Sequence, residues 1–93
     1  MLRHIVMFNL KCAEDAPKVK ALLDSCKDLV PGMHEFEVGI KTDGLEANAD
    51  VVLVSTFVDA AALAAYQPHP HHQGVVAQIR EMAAGRHVVD YLI

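Results

Sequence analysis

Residues 2–11 alternate between two faces at the start of the chain. Leu2, His4, Val6, Phe8 and Leu10 share one face, and Arg3, Ile5, Met7, Asn9 and Lys11 share the other. A period of two predicts a β-strand over residues 2–11. Its second face still carries Ile5 and Met7, so both sides of this strand call for cover. The period then changes. Asp15 and Pro17 open a helical stretch with a capping carboxylate and a preset φ. Val19, Leu22, Leu23, Cys26, Leu29 and Val30 follow at helical spacing, with Lys18, Lys20, Asp24 and Lys27 opposite. Pro31-Gly32 is expected to stop this helix.

Alternation returns over residues 33–42, with Phe36, Val38 and Ile40 on one side and Glu35 and Glu37 on the other. Asp43-Gly44 and Asn48 mark a loop or hairpin connection. Residues 51–58 are apolar on both faces and read as a strand covered twice. Asp59 caps a short alanine-rich helix over residues 60–66, and Pro68 and Pro70 break it. Pro70 suits the first turn of a third helix, about residues 70–84, with Gly85 closing it. Its inward stripe is His72, Val75/Val76, Ile79 and Met82/Ala83. Residues 86–92 alternate as a final strand: Val88, Asp90 and Leu92 on one face, His87, Val89 and Tyr91 on the other.

The order β-α-β-β-α-β, its second helical position split by Pro-His-Pro, is a split βαβ arrangement, a ferredoxin-like α+β fold. Right-handed crossovers place all helices on one face of a four-stranded antiparallel sheet. The other face is left bare, with Ile5, Met7, Val89 and Tyr91 able to form it. A chain of 93 residues reads as one domain over 1–93. It buries only about 60–65% of its unfolded surface. An apolar share of 53% in so short a chain implies a second burial site. The expectation is therefore a homodimer whose bare sheets face each other.

Twelve acidic against eight basic residues, with no basic cluster, exclude a phosphate-backbone footprint and hence nucleic acid as a partner. No stretch has the length of a membrane span, and the N-terminus lacks a signal-peptide pattern. Cys12 and Cys26 lack metal spacing and read as reduced, buried thiols, which fits a cytoplasmic protein.

Candidate chemistry gathers in Tyr66-Gln67-Pro68-His69-Pro70-His71-His72, which holds three of the six histidines. Three imidazoles within four residues, interrupted by Pro70, do not converge readily on one ion, so no metal is assigned. General acid–base chemistry fits better. His72 falls on the core-facing stripe of the third helix, where burial disfavours the cation and leaves a neutral base. Tyr66 ends the preceding helix, and its phenol is placed to bind or protonate a carbonyl oxygen. His4 and Asp90 fall on the helix-facing sides of two strands, and a buried aspartate there needs a partner such as histidine. Val6 and Phe8 share the face of His4. The competing reading is a satisfied polar network with no substrate. No phosphate loop, nucleophile elbow, H-E-x-x-H or C-x-x-C is present.

Together these residues resemble the stress-responsive dimeric α/β-barrel (Dabb) domain family. The matching pieces are His4-Ile5-Val6-Met7-Phe8, Val30-Pro31-Gly32-Met33, Phe36-Glu37-Val38-Gly39, Asp50 through Phe57, Ala65 through His72 and Val88-Val89-Asp90-Tyr91. The most specific is the tyrosine, two-residue gap, His-Pro, one residue, His pattern. The resemblance implies a homodimeric α/β barrel with a pocket between sheet and helices in each protomer. One plant member is a cofactor-free polyketide cyclase, in which a histidine is the general base and a tyrosine holds the substrate carbonyl. The pattern puts His72 and Tyr66 at those two positions, and His4, Val6, Phe8 and Asp90 in the pocket. His71, Gln67 and Pro68 depart from the cyclase, as does Val51 where it has a histidine, so the pocket has a different shape.

Two readings follow. One is a cofactor-independent lyase or cyclase acting on a small carbonyl compound. The other is a non-catalytic stress-related or ligand-binding dimeric module. A haem-degrading or quinol-type oxygenase on the same fold is disfavoured by the absence of tryptophan and of a haem-ligand context around His4 or His34.

Overall fold

The computed structural model describes all 93 residues. Its elements are β1 (Leu2–Leu10), a 3₁₀ turn (Ala13–Asp15), α1 (Ala16–Asp24), β2 (Met33–Ile40), β3 (Val51–Phe57), α2 (Ala60–Tyr66), α3 (Pro70–Met82) and β4 (Ala83–Leu92). The strands form one antiparallel sheet in the order β2-β3-β1-β4, as the ferredoxin-like reading expects.

Register explains the two faces. Across β1 and β3, Leu2 pairs with Phe57, His4 with Ser55, Val6 with Leu53 and Phe8 with Val51. All eight are buried, and they form the floor under the helices with Val19 and Leu23 of α1, Leu63 and Tyr66 of α2, and Val75 and Ile79 of α3. The alternate residues turn away from the helices. Ile5 pairs with Val54 and Val89, and Met7 with Val52 and His87. Met7, Val89 and Tyr91 are 39%, 50% and 40% exposed in the isolated chain, so an apolar sheet face is open. Arg3 and Glu35, 3.9 Å apart, mark one rim of it.

Three boundaries differ from the sequence reading, each for a physical reason. α1 stops at Asp24 rather than at Pro31, because the Ser25 hydroxyl donates to the Leu22 carbonyl and competes with the helical ladder. The chain then turns, with Asp28 at φ 60°. Leu29 and Val30 pack against the core from this turn, not from a helix. α3 ends at Met82, and Gly85 does not cap it but lies inside β4, paired with Asn9. β4 begins at Ala83 rather than at residue 86, because Leu10 at the end of β1 pairs with Ala83 and draws the intervening residues into the ladder. Helix passes into strand with no loop between. Cys12 is exposed, contrary to expectation, whereas Cys26 is buried; neither forms a disulfide.

Asp59 caps α2, its carboxylate accepting from the Ala62 amide at 2.9 Å. Gly32 is at φ 89°, and a Cβ there would lie 2.8 Å from Val58 Cγ1 and 3.0 Å from Ala62 Cβ. Left-handed backbone costs an L-residue about 1–2 kcal/mol before any clash is counted. Gly32→Ala is therefore expected to cost about 2 kcal/mol or more, a fall in Tm of roughly 10 °C for a chain of this size. Thermal unfolding followed by circular dichroism checks it; an unchanged Tm would mean that the α2 end of the molecule yields freely.

Candidate functional site

A cavity of about 670 Å³ lies between the sheet and α3. β1 supplies His4, Val6 and Phe8 to its wall, β3 supplies Leu53, and α3 supplies His72, Val76 and Ile79. The α3–β4 junction contributes Ala83, Ala84 and Gly85, whose small size leaves the space open.

His72 sits in the first turn of α3 because Pro70 and His69 start the helix there, the His69 ring nitrogen Nδ1 accepting from the His71 amide. His72 Nδ1 lies 2.9 Å from the Gln67 carbonyl oxygen. A carbonyl only accepts, so Nδ1 carries the proton and Nε2 keeps its lone pair with no protein partner. Half-burial pushes the His72 pKa below its ordinary 6.5; the Gln67 carbonyl opposes that shift, while the nearby His4, Arg86 and His69 charges reinforce it. His72 is thus held as a neutral imidazole of fixed tautomer.

His4 lies one wall across. Its Nδ1 donates to the Asp90 carboxylate, its partner in register on β4. The His4 side chain is 4% exposed and that of Asp90 37%, so Asp90 stands at the solvent margin and not, as expected, in the core. β4 is an edge strand that the helices do not cover, which is why Val88 and Leu92 are exposed as well. The carboxylate fixes the orientation and tautomer of an imidazole that lines the cavity.

Tyr66 takes another position. Its ring packs against His72, with centroids 4.3 Å apart and planes at 44°, and against Phe57 at 5.3 Å. It does not line the cavity. Its hydroxyl is buried beside the Cys26 thiol and has no oxygen or nitrogen partner. Burial, reinforced by Cys26, pushes the phenol far above its ordinary 10.0, and burial likewise raises the thiol. The Tyr66 ring thus backs the His72 ring, while its hydroxyl lies beside Cys26 and is not part of the cavity wall.

Of the candidate residues, His72, His4, Val6 and Phe8 share the cavity wall; Asp90 acts on it through His4, and Tyr66 through His72. Sequence reasoning missed Gln67, Gln73, Arg80 and Arg86, which also line it. Gln67 was seen only as a departure from a known pattern, and Arg86 follows the misassigned Gly85. His69 and His71 have partners of their own. His71 Nε2 lies 2.8 Å from Ser25 Oγ, and no three His, Cys, Asp or Glu side chains converge as a metal-ligand set.

Sheet order, helices on one face and an imidazole-bearing cavity between them define a small ferredoxin-like α+β protein. The model of the Stress responsive A/B Barrel Domain matches residues 2–93, and the chain belongs to this Dabb family. An uncharacterized protein of Streptomyces coelicolor is 32% identical over 88 residues, 89% of this chain and 91% of that one. Among solved structures, a dimeric ferredoxin-like protein of unknown function from Jannaschia sp. CCS1 is 35% identical with a TM-score of 0.77, covering 99% of this chain and 98% of that one. Another, from Thermobifida fusca, has a TM-score of 0.87 at 24% identity, covering 99% and 90%. No helix here is long and apolar enough to cross a membrane.

Proposed function

We propose that the protein acts as a homodimer and that each cavity binds a small carbonyl compound, from which His72 removes a proton α to the carbonyl without a cofactor. The observation that carries this reading is the His72 imidazole: its Nδ1 is tied to the Gln67 carbonyl and its lone-pair nitrogen is unpartnered at the wall of a largely apolar cavity. The step is a proton transfer. The C–H bond breaks to Nε2, its electron pair moves to the carbonyl oxygen as an enolate, and the imidazolium returns the proton to carbon. His4, backed by Asp90, is the second polar group facing the substrate oxygen, and Tyr66 is a positioning residue beneath His72. The homodimer rests on the open apolar sheet face and on the dimeric state of the Jannaschia relative.

The non-catalytic reading, a ligand-binding dimeric module, is favoured by one observation: the Tyr66 hydroxyl, the expected carbonyl donor, is sealed away beside Cys26. Solvent exchange separates the two. The N-acetylcysteamine thioester of acetoacetate in D2O should lose its α-proton NMR signal faster with the protein than in buffer. Exchange at the buffer rate would leave the module.

The pH profile has a definite sign. The base form of His72 is active, and its pKa is lowered. Enzyme-dependent exchange should therefore be fully present at pH 7, persist below the ordinary midpoint of 6.5 and fall only at lower pH, as the imidazole protonates among His4, His69 and Arg86. A midpoint above 6.5, read from initial rates after correction for the buffer reaction, would exclude His72 as the base.

A further inference from the structure

The charged residues of the cavity wall are one-sided. Sixteen residues line it, and in a chain with twelve Asp and Glu none of the sixteen is acidic. The two that are permanently charged, Arg80 and Arg86, are both cationic. They come from different elements. Arg80 is in the last turn of α3, and Arg86 is on β4 opposite Phe8 in register, on the helix side of the sheet. Both are exposed. Neither takes part in an ion pair within the protomer, although Arg3, Lys20 and Lys41 each do. Their guanidinium groups donate no hydrogen bond to the protein. Arg80 also answers the partial negative charge of the α3 C-terminus. Arg86 has no such local role.

From this we infer that the cavity selects a carboxylate-bearing ligand, with its anionic group on Arg86 and Arg80 at the mouth and its apolar body along Val6, Phe8 and Val76. This deepens the reading proposed above, since the ligand is the carbonyl compound on which His72 would act. A planar guanidinium binds a carboxylate through two parallel hydrogen bonds, a geometry that an amide cannot match in charge. Gln67 and Gln73 complete a polar rim without adding charge. The apolar walls beyond it accept an aromatic or short aliphatic body and exclude a second anion.

The test uses two isosteric probes, 4-acetylbenzoate and 4-acetylbenzamide, titrated into ¹⁵N-labelled protein and read by amide NMR shifts. The carboxylate should bind at least tenfold more tightly than the amide, and its shifts should map to α3 and the start of β4. Arg86→Gln should weaken the carboxylate about tenfold and Arg80→Gln by a smaller factor, while both variants keep the affinity of the parent for the amide. Retained amide binding also shows that each variant is folded. Equal affinity for the two probes, failure of either to bind at millimolar concentration, or Arg86→Gln binding the carboxylate as the parent does would each overturn the inference. Preference for the carboxylate with no proton exchange would sink catalysis by His72 and leave the anion site standing. Exchange of the thioester with no carboxylate preference would do the reverse.

Discussion

His72→Ala should reduce enzyme-dependent exchange of the acetoacetyl thioester by about 10²–10⁴-fold, the range a positioned general base contributes. The variant removes the only half-buried, tautomer-fixed imidazole on the α3 wall and keeps the helix, since alanine is a better helix former than histidine. Tyr66→Phe is the necessary companion. The Tyr66 hydroxyl has only the weakly bonding Cys26 thiol beside it and is not among the cavity-lining groups, so its loss should leave exchange within about twofold of the parent and leave Tm equal or higher, because a poorly partnered buried polar group is a cost. A fall in both variants would mean that the phenol contacts substrate and that the side chain swings away from Cys26. A normal rate in His72→Ala would move the base to His4 or end the catalytic reading.

Met7→Lys should convert the homodimer to a folded monomer. Met7 stands at the centre of the open sheet face, paired with Val52 and His87, and is 39% exposed in the isolated protomer. A lysine there meets water in the monomer and costs folding little. In a face-to-face pair it is buried without a partner, and symmetry brings two such charges together. Losing roughly 4 kcal/mol, a typical cost of an uncompensated buried charge, raises Kd about a thousandfold. Val89→Lys, beside Ile5 on the same face, should act likewise. Sedimentation velocity over a concentration series reads the result, and circular dichroism confirms the fold. A parent-like dimer in both variants would mean that protomers join through some other surface.

Much of this was legible in the chain because the floor of the core is built from one face of β1. Alternation from Leu2 to Leu10 fixed which side chains go under the helices, and every odd–even assignment in that strand agrees with the register. His72 was legible for the same reason, three residues ahead of the buried Val75 on one stripe. The misreadings arose where periodicity is silent. A glycine after a helical run looks like a cap, and nothing local says that Leu10 will pull Ala83 into a strand. Apolar spacing through Val30 imitates a longer helix, but a serine hydroxyl ends it. The direction of the Tyr66 hydroxyl depends on Cys26 and Phe57, forty and nine residues away in sequence by the numbering itself. Arg86 falls on the same alternation face as Asp90, but its place beside the cavity needed the pairing with Phe8, and that of Arg80 needed the packing of α3 over the sheet.

The missing loop between α3 and β4 has a mechanical consequence. Met82 is the last helical residue and Ala83 the first extended one, and Leu10 pairs with Ala83 while Asn9 pairs with Gly85, so Ala84 is the single residue of slack in the hand-over. One residue inserted beyond that bulge, where regular pairing resumes at Gly85, would turn every later side chain of β4 to the opposite surface, parting Asp90 from His4 and taking Arg86 off the cavity wall and Val89 off the open face. The wall that meets a ligand and the seam that meets a second protomer are in this way two sides of one strand, and a single extra residue at its root sets the phase of both.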